Sequence, residues 1–215
     1  MELESGVLAN KSGGEMPAKL ISVLLHPLLM PTYGFALIFY TRNYISLFTP
    51  ADAKLIIIGI TFLFTFILPA LNALLLLKIG RINSLEMETT SERTMPYGST
   101  AMYYFALFYL FHNKELPGVF KVLILGAAIS ITLSFIINFK WKISAHTVGI
   151  GGIAGAALGI IYRLQLDLHV ILMLALLLAG ILASARLKLK AHTPAQVYTG
   201  FLLGFMVELL LMWVY

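Results

Sequence analysis

Seven stretches of the chain are apolar and almost free of charge, and their recurrence constrains the fold more than any motif does. They run Leu20–Tyr40, Leu55–Leu77, Pro96–Phe111, Val119–Phe139, Thr147–Tyr162, Leu168–Ser184 and Pro194–Tyr215. A helix needs roughly 20 apolar residues to cross the hydrocarbon core of a bilayer, and about 17 is the lower limit. Several of the seven sit near that limit, so six or seven crossings are expected. A soluble alternative fails on composition. The chain is 60% hydrophobic and only 12% charged, about half the charge share of a soluble domain. The expected fold is therefore all-α, a polytopic transmembrane helix bundle, with a single domain over residues 19–215 and the inner membrane of a bacterium as its setting. Residues 1–18 are polar, rich in Gly, Ser and Glu, and lack a signal-peptide core. A disordered tail is expected there, part of it foreign to the native chain, with Met16 as an available start. Pro27 and Pro31 each remove a backbone donor from the first apolar stretch, which is expected to be kinked or broken.

The net charge of +5 is modest, and no segment suggests a nucleic-acid surface. The absence of cysteine excludes disulfides and thiolate metal sites. If all seven stretches cross, the segments 78–95, 140–146 and 185–193 share one face. They carry Lys78, Arg81, Arg93, Lys140, Lys142, His146, Arg186, Lys188, Lys190 and His192. The opposite face has Arg42, Lys54, Lys114, Lys121 and Arg163. One explanation is the positive-inside rule, which would make the basic face cytoplasmic. The other is an anion site at the membrane surface.

The arrangement of residue types supports the anion site. Thr193-Pro194 reads as a helix start, with Thr as N-cap and Pro at the first helical position. His192 then lies just outside a helix N-terminus, where free N–H groups and the helix dipole favour an anion. Ser144-Ala145-His146-Thr147 opens another helix in a similar way. Two imidazoles among arginines suit phosphoryl transfer: one attacks phosphorus, the other protonates the leaving oxygen. Guanidinium groups hold the phosphoryl oxygens. No His and carboxylate cluster has ligand spacing, so neither a metal nor another cofactor is expected.

At these residues the chain resembles the type 2 phosphatidic acid phosphatase superfamily of membrane lipid phosphatases. That family carries Lys-x6-Arg-Pro, then Pro-Ser-Gly-His, then Ser-Arg-x5-His-x3-Asp. Arg186, His192 and Gln196 follow the third motif, Ser144-Ala145-His146 the second, and Arg93-Thr94-Met95-Pro96 loosely the first. The resemblance covers residues 78–200. It implies metal-independent hydrolysis of a lipid phosphate in the bilayer, with His192 as nucleophile and His146 as acid and base. Arg93, Arg186 and Ser144 would bind the substrate phosphate, and Gln196 would stand in the place of the residue that orients the nucleophile. The departures are Glu86 for the first-motif lysine, Ile143 and Ala145 for the Pro and Gly of the second, Ala185 for the Ser of the third, and Gln196 for its Asp.

Each of these residues also has a structural reading. Thr193-x-x-Gln196 fits a capping box. Arg186, Lys188 and Lys190 fit an interfacial basic loop, His146 an interfacial histidine, and Lys140 and Lys142 an anchor around Trp141. His26 reads as a helix-packing hydrogen bonder, and His112 and His169 fall near the opposite face. Glu208 lies inside an apolar helix, a functional candidate by default, with Asn72 or Asn138 as its expected partner. The series Gly151, Gly155 and Gly159 reads as close helix packing. Three functions follow: a lipid phosphatase acting on an isoprenoid diphosphate, phosphatidylglycerol phosphate, phosphatidic acid or lipid A phosphate; an impaired relative that binds or transports lipid phosphates; and a small transporter or channel.

Overall fold

The computed structural model describes residues 15–214. The expected tail lies outside the described residues as far as residue 14, and residues 15–18, also assigned to it, already form the start of helix α1 (15–24). The described residues are all helical or connecting, with no strand among them. Six helical segments are long and apolar enough to cross a membrane: Glu15–Tyr40, Ala51–Lys78, Gly118–Asn138, Ala145–Leu164, His169–Lys188 and Pro194–Val214. The chain is a multi-pass integral membrane protein.

The first of these is broken. His26 is extended (φ −66°, ψ 135°), and a 3-10 turn over Pro27–Leu29 leads into α2 (Met30–Tyr40). The short α3 (Tyr44–Phe48) precedes α4 (Ala51–Phe62), which runs through a π turn at Leu63–Ile67 into α5 (Leu68–Lys78). Pro69 opens α5 and has no N–H to give the helical ladder. Then come α6 (Thr90–His112), α7 (Gly118–Asn138), α8 (Ala145–Leu164), α9 (His169–Lys188) and α10 (Pro194–Val214). At 23 residues α6 is about 34 Å long, enough to run the height of the bundle beside α7. It is less apolar than the other six because its first turn carries Glu92 and Arg93. It starts at Thr90 and not at Pro96, because Thr89 and Glu92 form a capping box that extends the helix N-terminally.

In a bilayer, helices associate through close packing more than through the hydrophobic effect, and small residues permit it. Here that packing is concentrated between α8 and α10. A Cβ on Gly151 would meet the Phe201 carbonyl oxygen, and one on Gly155 the Phe205 carbonyl oxygen. On the facing helix, Gly204 abuts the Val148 carbonyl oxygen and Gly200 the Thr147 hydroxyl. The paired positions rise together along both helices, so α8 and α10 are parallel. Both N-termini therefore emerge at the same face, and the Ser144 N–H donates to the Gln196 carbonyl at 3.4 Å across them. Near the opposite face, Phe35, Phe39, Phe111, Phe120, Ile124, Ile160 and Met212 form the main core.

Replacing Gly204 with Leu should force the two backbones apart, and overpacking of this kind costs roughly 1–3 kcal/mol or more. Gly180 on α9 has open space around it, so Gly180→Leu is the matched control. Thermal unfolding in detergent should show a lowered midpoint for the first variant and an unchanged one for the second.

Candidate functional site

A cavity of about 960 Å³ opens among the helix ends on the face where α8 and α10 begin. Arg93, Lys142, His146, Arg186 and His192 all line it. Segments about fifty residues apart in sequence are thus brought to one place, and each arrives by a local cause. The capping box lengthens α6 so that Arg93 lies in its first turn; the parallel α8 and α10 present His146 and His192; Arg186 sits in the last turn of α9.

Arg93 is buried and anchored to the protein: its Nε donates to the Met87 carbonyl at 2.9 Å, and its Nη1 to the Ile143 carbonyl at 3.2 Å and the Tyr97 hydroxyl at 3.4 Å. Arg186 donates from Nη1 to the Ser22 hydroxyl at 3.3 Å, while its buried Nε has no partner. Neither guanidinium meets a carboxylate. Among the described residues the ion pairs are Lys19–Glu15 and His169–Asp167, and neither includes an arginine. Lys142 is pushed below the usual lysine range by burial and by the Arg93 charge. Glu15, Glu86 and Glu88 also line the cavity, and they leave both arginines without a salt bridge.

His192 is buried, with its Nδ1 3.2 Å from the Gln196 Oε1. The same Oε1 accepts the Thr193 N–H at 3.0 Å, and the Gln196 N–H donates to the Thr193 hydroxyl at 3.4 Å. Capping and imidazole orientation, alternatives in the sequence, are performed together by one amide oxygen. Because the Thr193 N–H can only donate, that atom is the oxygen; an amide oxygen only accepts, so Nδ1 carries the proton. The Nε2 lone pair is left free. Burial, together with Arg93 and Arg186, pushes His192 down to about 4, so its imidazole is neutral at physiological pH.

His146 lies within hydrogen-bond reach of the Ser22 carbonyl, Nε2 to O at 3.1 Å. A carbonyl only accepts, so Nε2 holds the proton and Nδ1 the lone pair. His26, read from sequence as a packing residue, lines the same cavity with its ring 5.5 Å from that of His146. Its Nδ1 accepts the Leu28 N–H at 3.3 Å, leaving Nε2–H as the free donor. The signal available in the sequence was the Pro27 break, which turns residue 26 out of a helical ladder. Ser144 departs from its expected role. It is the N-cap of α8, but its hydroxyl makes no capping bond, is fully buried without a partner, and does not line the cavity. The close approach of Gly200 to the Ser144 carbonyl encloses it. Gln196 supports His192 from outside the cavity lining. His112 and His169 do not line it either. Among the described residues no three His, Asp or Glu side chains group closely enough to hold a metal ion.

No family model, curated protein or solved structure matches this chain.

Gln196→Ala should lower two quantities at once. Thermal stability should fall by about 1 kcal/mol from the lost cap, and any His192-dependent turnover should fall by tenfold or more, about 1.4 kcal/mol in barrier terms. Stability and turnover measured on the same protein check this; a change in only one would divide the two roles. The His192 position also sets a pH dependence. With a folded value near 4 against 6.5 when unfolded, its contribution is fully present above about 6.5. It is lost as pH falls from there toward 4, because only the unfolded chain takes up the proton. His192→Gln should flatten part of that slope in unfolding scans over pH.

Proposed function

We propose that this protein is a lipid phosphatase of a bacterial inner membrane, a divergent relative of the type 2 phosphatidic acid phosphatases. It would hydrolyse a phosphate monoester or diphosphate on a lipid such as an isoprenoid diphosphate, phosphatidylglycerol phosphate, phosphatidic acid or lipid A phosphate. The observation that carries this reading is a pair of guanidinium groups without carboxylate partners, one of them buried, facing a cavity shared with two imidazoles at helix N-termini. Burying an unpaired charge is costly, and an anionic ligand relieves the cost. The phosphoryl group binds Arg93 and Arg186 while the lipid tail remains in the bilayer.

In the first step the His192 Nε2 lone pair attacks phosphorus, an N–P bond forms and the P–O bond to the leaving group breaks. The departing oxygen takes a proton from the His146 Nδ1, which receives it from the substrate's phosphate monoanion. In the second step a water oxygen attacks phosphorus and gives its proton to His146. The N–P bond breaks, and inorganic phosphate leaves with His192 restored. The free N–H of His26 donates to a phosphoryl oxygen as charge builds there.

A binding-only relative is the second reading, favoured by Gln196, whose neutral amide cannot stabilise an imidazolium as a carboxylate does. A through-transporter fits less well, because the aromatic core closes the bundle beyond the cavity.

Phosphate release from purified protein tests the proposal. His192→Ala should abolish release while leaving the protein folded; near-wild-type turnover would remove His192 from the chemistry. His146→Ala should be severely slowed on a lipid phosphate and partly rescued on nitrophenyl phosphate, whose leaving group needs no proton. His26→Phe should slow both substrates alike. Arg186→Lys should be damaging despite its unchanged charge, since lysine cannot make a bidentate fork. Wild-type turnover should persist in chelator and be inhibited by vanadate. No release from any lipid phosphate, with tight binding retained, would favour the second reading.

A further inference from the structure

The cavity does not end at the basic cluster. It reaches Glu208, 14 residues into α10 and so about 21 Å from its start, roughly two thirds of the way through a hydrocarbon core about 30 Å thick. Glu208 is only 5% exposed, and its Oε2 has no hydrogen-bond partner. The partners expected from sequence are engaged elsewhere: Asn72 accepts the Ser99 hydroxyl at 3.1 Å, and Asn138 donates to the Thr90 carbonyl at 2.6 Å. Space for the carboxyl is built in, since a Cβ on Gly126 would stand 2.5 Å from the Glu208 Cδ. One turn along the same face of α7, Ser130 also lines the cavity, is 5% exposed, and has a hydroxyl without a partner. Immediately beyond Glu208, Met212, Ile160 and Ile124 belong to the core that seals this end.

Two unpartnered polar groups at the blind end of an intramembrane cavity are expensive in the absence of a ligand. We infer that Glu208 and Ser130 form a second subsite that binds a hydroxyl group near the far end of the hydrocarbon chain whose phosphate sits among Arg93, Arg186 and His192. This rests on the proposed function for the phosphate end alone. A hydroxyl is the group that satisfies both residues, because it donates to the Glu208 Oε2 while accepting from the Ser130 hydroxyl. A free cation is the poorer match, since it would have to pass Arg93, Lys142 and Arg186. A plain alkyl end would leave both groups unpaired.

The test is a binding measurement on the full-length protein in nanodiscs, with displacement of a fluorescent alkyl phosphonate as the readout. The competitors are ω-hydroxyalkyl phosphonates from decyl to octadecyl, each against the plain alkyl phosphonate of equal length. Their P–C bond does not hydrolyse, so the result is independent of turnover. At one chain length the hydroxyl should tighten binding roughly tenfold, the scale of one buried hydrogen bond to an otherwise unpaired group. Glu208→Leu should erase that gain, Ser130→Ala should reduce it, and Glu208→Gln, which still offers an acceptor, should keep part of it. No gain at any length, or a gain that survives Glu208→Leu, would overturn the subsite. Alkanols competing as well as phosphonates would instead overturn the phosphate end, leaving the hydroxyl comparison to judge Glu208. Failure of every competitor would overturn both.

Discussion

The site depends on the approach of two helix backbones to within contact distance. Along the α8–α10 seam, Gly151, Gly155, Gly200 and Gly204 each face a main-chain or side-chain oxygen that a methyl group would displace. That closeness has a geometric consequence at the helix ends. Parallel helices packed this tightly present their N-termini side by side, and the hydrogen bond from Ser144 N–H to the Gln196 carbonyl joins them. His146 and His192 are thereby carried to one cavity, each beside the positive end of a helix dipole.

Electrostatics then determines what such a cavity can accept. Arg93 is fixed by two carbonyls and a tyrosine hydroxyl, acceptors that orient a guanidinium without neutralising it. Arg186 keeps an unpaired Nε. Positive charge is therefore held in place without a salt bridge, which favours an anion. Burial, with the same field added, keeps His192 neutral. Its direction comes from the Gln196 oxygen, which fixes the proton on Nδ1 and leaves the Nε2 lone pair free. In this arrangement an amide supplies orientation, and burial together with the surrounding arginines supplies the bias toward the neutral form.

Much of this could be read from the chain, and what could not has physical reasons. Apolar stretches near 20 residues announce membrane helices directly, because the bilayer thickness sets the length. His192 and Gln196 were readable because their relation is local, four residues apart at a helix start. Arg93 was only loosely indicated, since its distance from Pro96 departs from the family motif; the α6 capping box puts it in place. His26 hydrogen-bonds and packs as its sequence suggests, but its nearness to His146 was unreadable because it depends on Gly149, where a Cβ would stand 3.3 Å from the Pro27 Cα, a contact across more than a hundred residues. Ser144 failed in the opposite sense: its local signature was right for a helix start, but the packing of α10 hides the hydroxyl. The isolation of Glu208 was unreadable for the same reason, as its possible partners depend on which faces of α5 and α7 turn inward.

In the proposed mechanism His192 becomes covalently phosphorylated. Wild-type protein turning over a lipid phosphate should be quenched in base, which spares phosphohistidine, and its peptides mapped by mass spectrometry. One modified peptide containing phospho-His192 is expected, with phosphorus on Nε2 because Nδ1 faces Gln196. Turnover without any base-stable phosphopeptide, or with the phosphoryl group on another residue, would contradict it.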